Sequence, residues 1–145
     1  MNISFNKRFL FFLFICFLIY LQGIFKLPVM DRDEARFATA SKTMLIEKDF
    51  IDITMVEEKR YKKPIGIYWT QSFMNSIFGS YPYDKISIYR LPSILGVFIS
   101  FFLIFVIIRN IENESIAFLT IFFLIFSFLT ISEIHQAKTD GLLFL

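Results

Sequence analysis

The stretch FLFFLFICFLIYLQGIF, residues 9–25, is followed after a short connection by DRDEARFA, residues 31–38. An uncharged, mostly apolar run of this length predicts a first membrane span, with Lys7 and Arg8 in front of it. Acidic and basic side chains at the point where such a helix leaves the membrane are expensive to keep. The cluster in residues 31–38 is therefore the first candidate for a functional role.

The composition is typical of an integral membrane protein. Of the 145 residues, 56% are hydrophobic and 19% aromatic, and the mean hydropathy is +0.60, which exceeds what a water-soluble core requires. A formal net charge of +2 without a basic stripe argues against a nucleic-acid partner. The single cysteine, Cys16, has no partner for a disulfide within the chain. No A-x-A-like cleavage site lies near Gln22, so a retained anchor is favoured over a signal peptide.

Two later segments, residues 91–108 and 115–132, predict further spans. The first has no charged residue and would extend about 27 Å as a helix, close to the thickness of the hydrocarbon core. The chain becomes apolar again from about residue 141, as at the start of another span. We therefore expect the front portion of a longer, multi-spanning protein.

Residues 64–78 predict a short amphipathic helix that lies in the membrane interface. Pro64 suits its first turn and Gly79 suits its C-terminal end. The apolar face is assigned to Ile65, Tyr68, Trp69, Phe73 and Ile77, and the opposite face to Gly66, Thr70, Gln71 and Asn75.

This interfacial assignment decides the topology. With Lys7 and Arg8 in the cytoplasm, residues 26–90 form an outer loop, and Asp33 and Asp140 share the outer face. If residues 64–78 crossed the membrane, the two acids would lie on opposite sides. The positive-inside rule opposes this orientation, because 12 of the 15 Lys and Arg residues are then outside, but the rule weakens for loops of about 60 residues.

The outer loop opens with a predicted helix that ends near Ile46. Asp31 or Asp33 can cap it, and Asp33 can pair with Arg36 three residues later. An apolar face formed by Phe37, Met44 and Leu45 is expected to lie on the membrane. A capped surface helix with an ordinary salt bridge explains the same spacing equally well.

Two further groups are candidates for binding or catalysis. EEKRYKKP, residues 57–64, gathers cations before a helix N-terminus, which predicts a phosphate site, with attraction to anionic lipid head groups as the alternative. HQAKTDGLLFL, residues 135–145, contains Asp140, for which a helix cap is the simpler interpretation. His135 has no HxxxH or HExxH partner, so we expect a solvated interfacial histidine rather than a metal ligand.

Four motifs in order resemble a known family. They are DEARFA (33–38), KKPIGIYW (62–69), YRLPS (89–93) and KTDGLL (138–143). The order resembles the start of the GT-C polyprenyl-phosphate-dependent glycosyltransferases, in the group that includes aminoarabinose lipid A transferases and is related to protein O-mannosyltransferases. The corresponding family pattern is approximately DEARYA, EKPPLLYW, ARLPS and TDALL.

The resemblance implies an all-α, GT-C-like integral membrane protein of the bacterial inner membrane, with its active site facing the periplasm. It implies transfer of a sugar from a polyprenyl-phosphate donor to a lipid, glycan or protein acceptor. Asp33 is then the catalytic acid-base residue and Asp140 a second acid at the site. Lys63 and Arg36 bind the lipid phosphate, and Glu34 and Tyr68 support the site.

The sequence departs from the family pattern beside the phosphate motif. Lys62 stands where the family often has Glu, so a bound metal is unsupported and no cofactor is assigned; Ile65 replaces the second proline. The sugar, carrier and acceptor stay open. A second hypothesis is a small non-enzymatic membrane protein that binds anionic lipid through its polybasic loop. A transporter fragment ranks last, because residues 91–108 and 115–132 carry no charge.

Overall fold

The computed structural model describes residues 6–55, 58–59 and 63–143. Within them the chain is mostly helical, which confirms the all-α class, and one pair of two-residue antiparallel strands is present. The elements are α1 Lys7–Lys26, α2 Arg32–Glu47, β1 Thr54–Met55, β2 Glu58–Lys59, α3 Gly66–Phe78, α4 Ile86–Ile111, α5 Glu114–Ile125, α6 Phe128–Ile134 and α7 Thr139–Leu143.

Helices α1 and α4 are long and apolar enough to cross a membrane, with 20 and 26 residues. The Asn6 side chain begins α1 by accepting hydrogen bonds from the backbone N–H groups of Arg8 and Phe9 at 2.9 and 3.3 Å. Lys26 lies in the last turn, where a cation is stabilised by the helix dipole. The two helices pack together with α5 around Phe9, Phe101 and Ile121, which are almost fully buried.

Residues 115–132, predicted as a span, do not form one straight helix. Helices α5 and α6 form a pair bent by 63°, and the Ser127 side chain begins α6 by accepting a hydrogen bond from the Thr130 N–H at 3.3 Å. The Tyr20 hydroxyl of α1 donates to the Ile125 carbonyl at 2.6 Å, close to the break. Because an unpaired carbonyl is costly in an apolar environment, this bond stabilises the bend.

The apolar face of α2 packs against α3, which corrects the expectation that it lies on the membrane. Phe37 and Met44 are buried, and the Phe37 and Tyr68 rings are 5.5 Å apart. Ile53 and Ile67 complete this second apolar cluster. Burial against a neighbouring helix removes the same apolar surface from water that membrane contact would remove.

Helix α3 is amphipathic in the opposite sense to most surface helices. Its polar residues Gln71 and Asn75 are buried in the protein, whereas Trp69, Phe73 and Ile77 are exposed by 49%, 60% and 55%. Tyr68, assigned from the sequence to the apolar outer face, is buried. The helix begins at Gly66 and its C-cap is Gly79, as the sequence indicated for its end.

Candidate functional site

The candidate site lies where the first turn of α2 meets the start of α4 and the segment leading into α7. At its centre is an ion pair between Glu34 and Arg90, whose side chains are both 0% exposed. Glu34 Oε1 accepts from Arg90 Nε at 2.7 Å, and Glu34 Oε2 accepts from Arg90 Nη2 at 3.0 Å. This two-pronged geometry is the strongest that a carboxylate and a guanidinium can adopt.

The remaining guanidinium N–H groups bind the chain that connects α1 to α2. Nη1 donates to the carbonyls of Ile24 and Leu27 at 3.1 and 2.7 Å, and Nη2 donates to the Pro28 carbonyl at 2.7 Å. All five N–H donors of Arg90 are therefore used. The arrangement compensates the burial of the charge and fixes the exit of α1 relative to α4.

The carboxylate of Glu34 also links α2 to the chain before α7. Its Oε1 accepts a hydrogen bond from the Ala137 N–H at 2.9 Å, and its Oε2 accepts from the Met30 N–H at 3.0 Å. A second link is the ion pair between Asp31, the N-cap of α2, and Lys138. The DEARFA and KTDGLL motifs are thus neighbours, although about a hundred residues separate them in the chain.

The Asp31–Lys138 pair shifts the pKa values of both groups. The hydrogen bond from Lys138 lowers the pKa of Asp31 below its ordinary value. Burial acts to lower the pKa of Lys138, but the hydrogen bond to Asp31 and the nearby charges of Asp31, Glu133 and Asp140 outweigh it, so the pKa is raised. Both groups are therefore charged at neutral pH.

Asp33 and Arg36 form the exposed edge of this region. Their side chains are 53% and 33% exposed, and Arg36 Nη1 lies 2.9 Å from Asp33 Oδ1, which confirms the pairing that the spacing predicted. Asp33 shares its helical face with Phe37, four residues on. The carboxylate of Asp33 is accessible to a ligand, whereas that of Glu34 is not.

Asp140 lies in the first turn of α7 and is exposed. The next residue, Gly141, packs so closely on α4 that a Cβ there would lie 2.7 Å from the Cβ of Ser93. Ser93 Oγ also donates to the Lys138 carbonyl at 3.4 Å. Ser93 of the YRLPS motif therefore positions Asp140 through the backbone on either side of it. Within the described residues, no hydrogen bond or ion pair joins Asp140 to Asp33.

Helix α3 is attached to the same segment through buried polar groups. Gln71 Nε2 donates to the Ala137 carbonyl at 3.1 Å, and Gln71 Oε1 accepts from the Ser41 hydroxyl at 2.7 Å. Ser72 donates in turn to the Ser41 carbonyl at 3.1 Å. These bonds hold α2, α3 and the residues before α7 in one unit.

The predicted phosphate-binding residues are only partly described. Lys63 is exposed just before α3 and has no ion pair with another described residue, whereas Lys59 pairs with Asp52 at 2.6 Å. Arg60 and Lys62 lie outside the described residues. Tyr68 is 0% exposed in the cluster between α2 and α3, and its hydroxyl has no hydrogen-bond partner among the described groups. Its contacts in the structure are those of a core residue.

His135 is buried, which corrects the expectation of a solvated histidine. It is 8% exposed, its Nδ1 lies 2.6 Å from the Ile131 carbonyl oxygen, and its ring lies 5.6 Å from the Tyr20 ring. Gly23 provides the space, because a Cβ at that position would lie 2.2 Å from His135 Nε2. Among the described residues no group of three or more His, Cys, Asp or Glu could hold a metal ion.

Sequence reasoning named YRLPS as a motif but gave Arg90 no role. It also missed Gln71, Lys138 and Ala137 as the groups that join the motifs. One available signal was the position of Arg90, a charge directly before the uncharged segment 91–108. A charge at such a place is retained only with partners, and the sequence does not show that the partner is Glu34, 56 residues away.

The fold and the gathered motifs define a helical membrane protein with a polar site where several helices end. The chain belongs to the dolichyl-phosphate-mannose-protein mannosyltransferase family, whose family model matches residues 62–145, more than half of the chain. This match and the relative described next confirm the GT-C resemblance.

A similar protein is the undecaprenyl phosphate-alpha-4-amino-4-deoxy-L-arabinose arabinosyl transferase 2 of Proteus mirabilis (strain HI4320). The two are 27% identical over 127 residues, which cover 87% of this chain and 22% of the relative. The chain thus spans about a fifth of the length of that protein. No solved structure matches the present chain.

Proposed function

We propose that the complete protein is a membrane glycosyltransferase that transfers a sugar from a polyprenyl-phosphate donor to a lipid, glycan or protein acceptor at the outer face of the bacterial inner membrane. Family membership and the arabinosyl transferase relative support the reaction class and the donor. The observation that carries the site is that Glu34 binds Ala137 and Asp31 binds Lys138. The two segments that contain the acids Asp33 and Asp140 are therefore in contact.

In the proposed reaction Asp33 is the general base. Its exposed carboxylate takes the proton of the acceptor hydroxyl while the acceptor oxygen forms a bond to the anomeric carbon. The bond between that carbon and the phosphate oxygen breaks, the configuration inverts, and the electron pair leaves with the polyprenyl phosphate.

The leaving phosphate needs cations more than a proton donor. Arg36 is beside Asp33, and Lys63 has no ion pair with another described residue. Both cations can therefore provide charge-assisted hydrogen bonds to phosphate oxygens. Asp140 is assigned to acceptor contact or to support of the site.

The test is a transfer assay on membranes that contain the complete protein. The wild type is expected to release free polyprenyl phosphate from a polyprenyl-phosphate-linked sugar, as measured by mass spectrometry. Asp33→Asn removes the base and is expected to lower the rate by about 100-fold or more, with unchanged membrane insertion. The matched control is Asp49→Asn, an exposed aspartate that caps a turn after α2.

Two outcomes would contradict the proposal. Undiminished release by Asp33→Asn removes this residue from catalysis. If the wild type releases no polyprenyl phosphate but binds anionic vesicles in a salt-dependent way, the non-enzymatic alternative is correct. The exposed Lys63 beside the exposed apolar side chains of α3 is the observation that favours this second candidate.

A further inference from the structure

We infer that Glu34 and Arg90 are positioning residues for the transfer reaction, which hold the acids of α2 and α7 in a fixed relation without touching a substrate. The inference rests on the proposed function and extends it to a pair that is 0% exposed. A buried pair cannot reach a membrane-bound donor or an acceptor. Any effect on catalysis must therefore act through the groups it holds.

The pair is connected to both acids by short covalent and hydrogen-bonded paths. Glu34 directly follows Asp33 in the first turn of α2, and its Oε1 accepts from Ala137, three residues before Asp140. Arg90 precedes Ser93 by one helical turn, and Ser93 contacts Gly141. A shift of the guanidinium therefore displaces both acids.

Arginine is required at this position for geometric reasons. Its planar group binds both oxygens of Glu34 and three backbone carbonyls at once, with distances of 2.7 to 3.1 Å. A lysine keeps the charge but has three donors on one nitrogen and cannot form the two-pronged contact. Charge alone therefore cannot replace Arg90.

Stability alone is a poor explanation for this pair. Burying two charges costs desolvation free energy, and well-packed apolar residues often stabilise a fold equally well. What an apolar pair cannot do is fix the α1–α2 connection and the segment before α7 at defined hydrogen-bond distances. Such precision matters for catalysis, since a displacement of about 1 Å can cost about 100-fold in rate.

The experiment compares Arg90→Lys and Glu34→Gln with the wild type in the complete membrane protein, using the polyprenyl phosphate release assay. Rates are expressed per folded molecule, counted from the monodisperse fraction of solubilised protein. Both variants are expected to lower kcat by about 10- to 100-fold while KM for the donor stays within about twofold. The matched control is Arg8→Lys, an exposed arginine in the first turn of α1, with both constants unchanged.

Three results would overturn the inference. The first is an unchanged kcat per folded molecule in both variants, which would make the pair purely structural. The second is loss of folded protein in both, and the third is a raised KM with an unchanged kcat. A wild type that consumes no donor is a different result, because it refutes the proposed function rather than the role of the pair.

Discussion

Replacing Arg90 with methionine is expected to destabilise the fold strongly, because it leaves the Glu34 carboxylate buried without its cation. Breaking a buried ion pair by removing one partner costs about 3–5 kcal/mol. The carbonyls of Ile24, Leu27 and Pro28 lose their donor as well, and an unsatisfied buried polar group costs about 1–3 kcal/mol. Methionine fills part of the volume of the arginine side chain. We therefore expect the free energy of unfolding to fall by at least about 3 kcal/mol.

The assay is unfolding of the micelle-solubilised protein by sodium dodecyl sulfate, followed by far-ultraviolet circular dichroism. The control is Lys42→Met, which removes an ion pair with Asp84 whose side chains are 32% and 65% exposed and should cost at most about 1 kcal/mol. Adding Glu34→Met to Arg90→Met removes the stranded charge and should restore part of the loss. Equal effects of Arg90→Met and Lys42→Met would refute the reasoning.

Two further predictions concern other links in the fold. Tyr20→Phe removes the hydroxyl that donates to Ile125 and should lower the free energy of unfolding by about 0.6 to 2 kcal/mol; an unchanged transition would show that the bend is stable without it. Lys138→Met tests the pair with Asp31, whose folded pKa lies below 3.8, while that of Lys138 lies above 10.5. The stabilisation by this pair requires both charges and is fully present between pH 3.8 and 10.5. It is lost as the pH falls through the lowered folded pKa of Asp31 and as the pH rises through the raised folded pKa of Lys138. The variant should therefore be less stable than the wild type between about pH 5 and 9, with a difference that disappears in strong acid; a difference that persists in strong acid would contradict this assignment.

Local signals predicted much of the helical architecture. The apolar length of α1 and of residues 91–108, a cap at Asp31 or Asp33 and the Asp33–Arg36 spacing all act within a few residues, so they are readable from the sequence. The structure selects Asp31 as the cap. The break between α5 and α6 was not readable, since neither proline nor glycine marks it. Close to the break, the Ile125 carbonyl accepts a hydrogen bond from Tyr20, a residue of another helix.

The centre of the candidate site was also beyond local reasoning. The resemblance gave Glu34 a supporting role without naming a partner, and in the structure its carboxylate turns inward to Arg90, 56 residues away. The burial of His135 depends on the missing side chain of Gly23, in another helix. The sequence named the residues, whereas only packing between helices showed which of them meet.

A single active site requires Asp33 and Asp140 to face the same side of the membrane. The most direct measurement is labelling of Asp33→Cys and Asp140→Cys, each in a Cys16→Ser background, with a membrane-impermeant maleimide on spheroplasts. Both cysteines are expected to react without permeabilisation, whereas Asn110→Cys, at the other end of α4, should react only after it. If Asp33→Cys and Asp140→Cys react from opposite sides, or both only after permeabilisation, the outer-face site is contradicted.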